Sequence, residues 1–169
     1  MAHRRDYHSP QRNLRHRPPR RKGIFHGFRV EDAESRAHLT LDGIVSGSDT
    51  AVNFEYDTFW EERRLLELVQ DHLDWGSRTD TPFISVYGDW GRAYREAERR
   101  VRAGKIDVVI HEILINHGSE GEVQFRLVPK LMSTLGAEIP DKAAHNAELE
   151  FICLHFIPRK FIIRTVEFE

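Results

Sequence analysis

Four runs of strand character crowd the later part of the chain: 106–115 (IDVVIHEILI), 122–128 (EVQFRLV), 149–157 (LEFICLHFI) and 160–168 (KFIIRTVEF). Two more precede them, GIFHGFRV at 23–30 and TPFISVY at 81–87, rich in aromatic and β-branched residues. Helical signals are fewer. Thr58-Phe-Trp-Glu61 reads as a capping box opening a helix that runs to about Trp75, with Leu65, Leu66, Val69 and Leu73 on its apolar stripe and Gly76 ending it. Asp89 caps a second helix whose buried stripe is Trp90, Ala93, Tyr94, Ala97 and Val101, closed by Gly104. Short helical turns are expected at 35–41, closed by Gly43, and at 141–147. At least six strands against about three helices, with the strands bunched late, favour an α+β packing over a doubly wound fold.

A length of 169 residues is about one domain's worth, and 40% hydrophobic with 31% charged residues is the composition of a water-soluble core-forming chain. No run approaches the roughly 18 apolar residues of a membrane helix. The single cysteine, Cys153, excludes an intrachain disulfide framework and a zinc site of paired cysteines. The formal net charge of −2 hides an asymmetry. Residues 1–22 hold eight Lys/Arg against Asp6 alone, which leaves 17 basic and 26 acidic residues in the body, a formal charge of −9. The arm has three prolines and almost nothing apolar, so a disordered basic arm at 1–22 followed by one domain at 23–169 is the expected organisation. Such an arm suits an anionic partner (nucleic acid or an anionic membrane surface) or serves as a nuclear address or a solubilising tail. No export segment is visible in the first two dozen residues, so cytosol or nucleus is the default expectation.

Three features invite chemistry. Glu148-Leu149-Glu150 opens an apolar run, and period-two strand geometry would put both carboxylates on one face, where like charges cost energy unless a cation, hydrogen bonds or a substrate offset it. Arg29 stands between Phe28 and Val30; pointing inward it needs a carboxylate or a phosphate, and on an edge it snorkels to water. Ser85 interrupts the apolar run PFISVY and, if buried, needs a hydrogen-bond partner. The remaining candidates are weaker. His111, His117, His145 and His155 show no metal-ligand spacing, Cys153 reads as a small buried hydrophobe, and Trp60, Trp75 and Trp90 read as core or helix-to-sheet packing. No G-x-G-x-x-G or Walker loop is present to cradle phosphates.

An arginine on the first strand, an aromatic-x-Ser strand leading into a helix, and a late Glu-x-Glu strand continuing to Ile-Pro together resemble the ADP-ribosyltransferase family of the arginine-serine-glutamate type, the class of cholera toxin. The stretches FRVEDAESRAHLTLDGIVSG, TPFISVYGDWGRAYREA and ELEFICLHFIPRKFI carry the resemblance, which spans about 24–164. The chain also looks like an uncharacterised fungal domain family with this fold. The family's Ser-Thr-Ser stands here as Ser85-Val86-Tyr87, and Glu31 and Asp32 follow close behind Arg29.

The resemblance implies a split β-sandwich of two small sheets with flanking helices, holding NAD as substrate. Arg29 and the neighbouring Val30 would bind the cofactor, Arg29 clamping its pyrophosphate, with Ser85 and Tyr87 at the nicotinamide end. Glu150 would stabilise the oxocarbenium-like ribose, Ser85 would hold Glu150, and Glu148 would orient or deprotonate the nucleophile. A Glu at that last position implies an arginine on a protein acceptor; without one, water makes the enzyme an NAD glycohydrolase. The other expectations left open are a catalytically drifted interaction module that keeps the fold, and nucleic-acid binding through the arm. A monomer is expected, with no metal.

Overall fold

The structure is a computed structural model that describes residues 17–168. Among the described residues nine strands and four α-helices follow one another: β1 (Phe25–Glu31), β2 (His38–Leu39), β3 (Gly43–Val45), α1 (Phe59–Leu73), β4 (Phe83–Tyr87), α2 (Trp90–Arg102), β5 (Val108–Ile115), β6 (Phe125–Leu127), α3 (Val128–Thr134), α4 (Asp141–Ala147), β7 (Glu150–Leu154), β8 (Phe156–Pro158) and β9 (Ile162–Phe168). They make a mixed α+β fold with two antiparallel sheets. The larger runs β6-β7-β4-β1-β5-β9 and the smaller β2-β3-β8. Among the described residues no helix is long and apolar enough to cross a membrane.

The strand period assigns each face of the larger sheet its cover. Phe83, Ile152 and Leu154 meet α1, α3 and α4 through Leu65, Leu68, Val69, Leu131 and Ala143. Farther along the same face, Phe28, Val30, Tyr87 and Ile110 meet α2 through Trp90, Ala93 and Ala97. The opposite face, with Ile84, Val86, Ile113 and Cys153, packs on Ile44 and Ile157 of the smaller sheet. Both long helices open as their sequences predict. The Thr58 hydroxyl accepts from Glu61 N while Glu61 reaches back to the Thr58 N–H, and Asp89 accepts from Arg92 N. Leu68 rather than Leu66 joins the buried stripe of α1.

The run 149–157 is two strands, not one. His155 takes φ +59, a left-handed conformation that His tolerates better than β-branched residues do, and this turn passes the chain from β7 in the larger sheet to β8 in the smaller. Its N–H donates to Pro82 O at 2.7 Å and its Nε2 lies 2.8 Å from Thr50 O. The 35–41 stretch is not helical. Asp32 Oδ1 accepts from Glu34 N and Ser35 Oγ from Asp32 N, local bonds that compete with a helix, and the chain then enters the β2–β3 hairpin. The segment 122–128 yields only the short β6, because Val128 and Pro129 start α3, where a proline in the first turn loses no bond. Likewise 160–168 opens with a 3-10 turn at Arg159–Phe161 before β9. Trp90 is buried as expected, but Trp60 and Trp75 are 73% and 56% exposed.

Of the expected basic arm, residues 17–22 are described. Residues 17–22 lie against the larger sheet: Pro18 is buried, Arg17 pairs with Asp89 at 3.5 Å and Arg21 with Glu112 at 3.4 Å. Residues 1–16 lie outside the described residues.

The smaller sheet depends on close backbone approach at Gly43, which has φ +151 and whose missing Cβ would stand 2.1 Å from Ile157 O. Gly43→Ala is expected to cost about 3 kcal/mol, from strain and overpacking together. A denaturant-melt midpoint unchanged by the substitution would contradict this packing.

Candidate functional site

The site begins where two strands part. β1 and β4 share one register pair, Phe28↔Tyr87, and no pairing continues toward Arg29 and Ser85. Strand alternation puts Arg29 on the side opposite Phe28 and Val30, facing the smaller sheet. The residue is 8% exposed, and its guanidinium fills the wedge. Nη1 donates to Ser85 O at 3.2 Å and Nη2 to Ala37 O at 2.9 Å, while Nε is buried with no partner. Burial and the nearby Arg100 pull its pKa down to about 10, against the pull of Glu31, Tyr87 and Asp32, so it is a cation at neutral pH. It is not tied to a carboxylate. Glu31 accepts from Leu39 N at 3.0 Å and lies 3.5 Å from His111 Nε2, and Asp32 pairs with Arg100 at 2.9 Å.

On the helix-covered face, Ser85 and Glu150 come together. β4 and β7 pair Tyr87 with Glu150 and Ser85 with Ile152, which sets the two polar side chains diagonally on one face. The Ser85 hydroxyl donates to Glu150 Oε1 at 2.7 Å. Behind it stands His72, from the last turn of α1, with Nε2 2.8 Å from Ser85 Oγ and Nδ1 2.6 Å from Thr81 Oγ1. Burial, with Arg29 and Arg36 nearby, pulls the His72 pKa down to about 3, so the ring is neutral. Because the serine proton points at Glu150, His72 must donate from Nε2 and accept from the Thr81 hydroxyl at Nδ1. Sequence reading missed His72 and Thr81; the signal was a histidine three and four residues after Val69 and Leu68, in line with the apolar stripe.

Glu150 is 8% exposed, and burial pushes its pKa up to about 6 against the Ser85 hydrogen bond and the Arg29 charge, with Glu96 adding repulsion. Arg29, His72, Thr81 and Phe83 line a cleft of about 460 Å³, together with Arg36, Arg99, Arg100 and Lys105. Its cations outnumber the carboxylates Asp32, Glu34, Asp71 and Asp74 that share its walls. The excess is one charge, and of the five cations Arg36, Arg99, Arg100 and Lys105 are already ion-paired.

Other expected site residues are placed differently. Glu148 does not share a strand face with Glu150: α4 runs to Ala147, Glu148 keeps helical dihedrals as its cap, and the strand begins at Glu150. Its side chain is 78% exposed and pairs with Arg92 at 3.2 Å. The Val30, Tyr87, Ser85 and Glu150 side chains do not line this cleft: all four lie on the helix-covered face, Val30 and Tyr87 packed under α2 and Ser85 and Glu150 behind His72 and Thr81. Cys153 is buried and its thiol is pushed up to about 12 by burial, which makes it a hydrophobe rather than a nucleophile. Among the described residues no three His, Cys, Asp or Glu side chains form a group that could hold a metal ion.

The raised pKa of Glu150 has a sign that can be tested. A carboxyl whose folded pKa lies above its unfolded value of 4.5 favours the fold while protonated, and that contribution is lost as pH rises through about 6. Glu150→Gln is therefore expected to stabilise the protein by about 2 kcal/mol near about pH 7.5, an advantage that fades by about pH 4.5. Denaturant melts of both proteins across that range check it, and a pH-independent difference contradicts it.

A family model described as Domain of unknown function (DUF7587) matches residues 26–169. No curated protein and no solved structure matches the chain. The family match begins within β1, three residues before Arg29, and takes in Ser85, Glu150 and His72. The chain belongs to the DUF7587 family.

Proposed function

We propose that the protein is an NAD-dependent mono-ADP-ribosyltransferase with an ADP-ribosyltransferase-like split sheet, moving ADP-ribose from NAD to a protein side chain, arginine favoured, and releasing nicotinamide. One observation carries the reading. Arg29, Ser85 and Glu150, far apart in sequence, meet where β1 and β4 part, with the Ser85 hydroxyl on Glu150 at 2.7 Å and the Arg29 guanidinium on the Ser85 carbonyl. This is the pairing the resemblance implies.

In this reading the dinucleotide lies in the cleft beside Arg29, its pyrophosphate against the guanidinium, whose buried Nε still lacks an acceptor. The bond between ribose C1′ and the nicotinamide nitrogen breaks, and its electron pair leaves with neutral nicotinamide. Positive charge then develops on C1′ and the ring oxygen. Glu150, ionised and hydrogen-bonded to the ribose 2′-hydroxyl, stabilises that charge, which is worth most in a buried site. A guanidino nitrogen attacks C1′ and gives up its proton to Glu148 or to water.

NAD glycohydrolysis is a second reading, favoured by the position of Glu148. Exposed, off the strand and paired with Arg92, it is not set beside Glu150 to receive an acceptor. Water then takes the acceptor's place.

Nicotinamide release from NAD, measured with and without a pool of acceptor proteins, tests both. Glu150→Gln is expected to lower release by about a hundredfold or more while leaving NAD affinity within a few-fold. Glu150-dependent release that labels protein supports transfer, and release without label supports hydrolysis. Release no higher than that of Glu150→Gln, with no NAD binding, overturns both in favour of a non-catalytic module.

A further inference from the structure

Resting on the transferase or hydrolase reading, we infer that His72 is a positioning residue for Glu150: a neutral imidazole, protonated on Nε2, that keeps the Ser85 hydroxyl aimed at the carboxylate. Four side chains form one directed chain, Thr81 Oγ1 to His72 Nδ1 at 2.6 Å, His72 Nε2 to Ser85 Oγ at 2.8 Å, and Ser85 Oγ to Glu150 Oε1 at 2.7 Å. Each group donates once toward Glu150, and each acceptor is filled from behind. A serine hydroxyl alone rotates among three wells. With the imidazole N–H on its lone pair, the well that points its proton at His72 is closed.

The same geometry argues against a serine nucleophile. In a Ser-His-acid triad the imidazole takes the serine proton and a carboxylate orients the ring from the other side. Here the ring donates to the serine, the group on Nδ1 is the Thr81 hydroxyl, and the carboxylate sits on the serine itself. The charged groups around this chain are consistent with a ring that stays neutral. Arg29 from β1 and Arg36 from the following turn face His72, Asp71 and Asp74 of its own helix line the cleft, and Phe83 packs edge-on against the ring with centroids 5.6 Å apart. Glu150 is faced by Arg29, by Glu96 of α2 and by Tyr87 beside it in the sheet. His72 thus joins the cleft wall to a buried carboxylate that must be ionised when NAD is bound.

His72→Phe keeps a ring against Phe83 and removes the donor, while His72→Gln restores a donor near the Nε2 position. The phenylalanine variant is expected to lower kcat for nicotinamide release about tenfold, with KM for NAD within about threefold. The acid limb of its pH profile should move up by about half a unit, because the anion loses part of its hydrogen bond, and the glutamine variant should recover most of both effects.

A second readout needs no turnover. The stability change caused by Glu150→Gln, followed against pH in the wild-type and His72→Phe backgrounds, reports the titration of Glu150 directly. Thr81→Val, which keeps the imidazole but lets its proton sit on either nitrogen, supplies the same comparison should His72→Phe not fold, and is expected to shift the midpoint upward too. A Glu150 midpoint that moves in none of these backgrounds overturns the inference, whatever the rates. A midpoint that moves in a protein releasing no nicotinamide upholds the hold of His72 on Glu150 and overturns the reading of function.

Discussion

The structure turns on one buried cation. Two strands that part inside a sheet leave backbone groups without a ladder, and such groups are costly when dry. Arg29 meets that cost from two sides: one nitrogen bonds the carbonyl of Ser85 on β4, another the carbonyl of Ala37 on the way to the smaller sheet. The same side chain therefore sets the spacing of β1 from β4, ties the larger sheet to the β2–β3 hairpin, and holds the backbone of Ser85 in place. A buried arginine is expensive to desolvate, and its pKa near 10 records that expense; the charge survives because two carbonyl dipoles and the more distant Glu31, Tyr87 and Asp32 favour it.

The carboxylates around Arg29 are distributed so that none closes on it. Glu31 is engaged by the Leu39 N–H and His111, Asp32 by Arg100, and Glu96 by Arg99 and Arg100. A chain whose body carries a formal excess of acid thus keeps one buried cation, Arg29, free of a carboxylate in its cleft. Glu150 shows the complementary arrangement. It is buried with a hydroxyl and a through-space charge rather than a salt bridge, which leaves it poised near neutral pH instead of locked as an anion.

Much of this was legible in the sequence where one residue type has one physical use. The capping box at Thr58 and the cap at Asp89 are local chemistry and appear in the fold as read. Ser85 and Glu150 were legible because a hydroxyl or a carboxylate in an apolar strand needs a partner, and each is the other's. Tertiary decisions were not legible. LEFICLHFI carries no turn signal, since His155 reaches a left-handed backbone through bonds to Pro82 and Thr50, residues distant in sequence. Val30 and Tyr87 were assigned to a cofactor from their places beside Arg29 and Ser85, and α2 covers both instead. His72 was hidden because a helix periodicity shows which face is buried but not which strand hydroxyl that face will meet.

The difference between Glu150 and Glu148 bears on what the site controls. A two-residue extension of strand β7 would have set both carboxylates on one face; instead α4 claims Glu148, and an ion pair with Arg92 holds it in water. A pair exposed to that degree is worth about 0.2–1 kcal/mol, little enough for another guanidinium to exchange with Arg92. Glu150, by contrast, sits in a sheet and is backed by three buried or half-buried side chains. On the proposed reading, the machinery that breaks the glycosidic bond is rigid, and the group that chooses between an acceptor and water is held by a contact weak enough for an acceptor to displace. Selectivity for transfer over hydrolysis would then depend on the acceptor's ability to compete with Arg92 for Glu148, rather than on any rearrangement around Glu150.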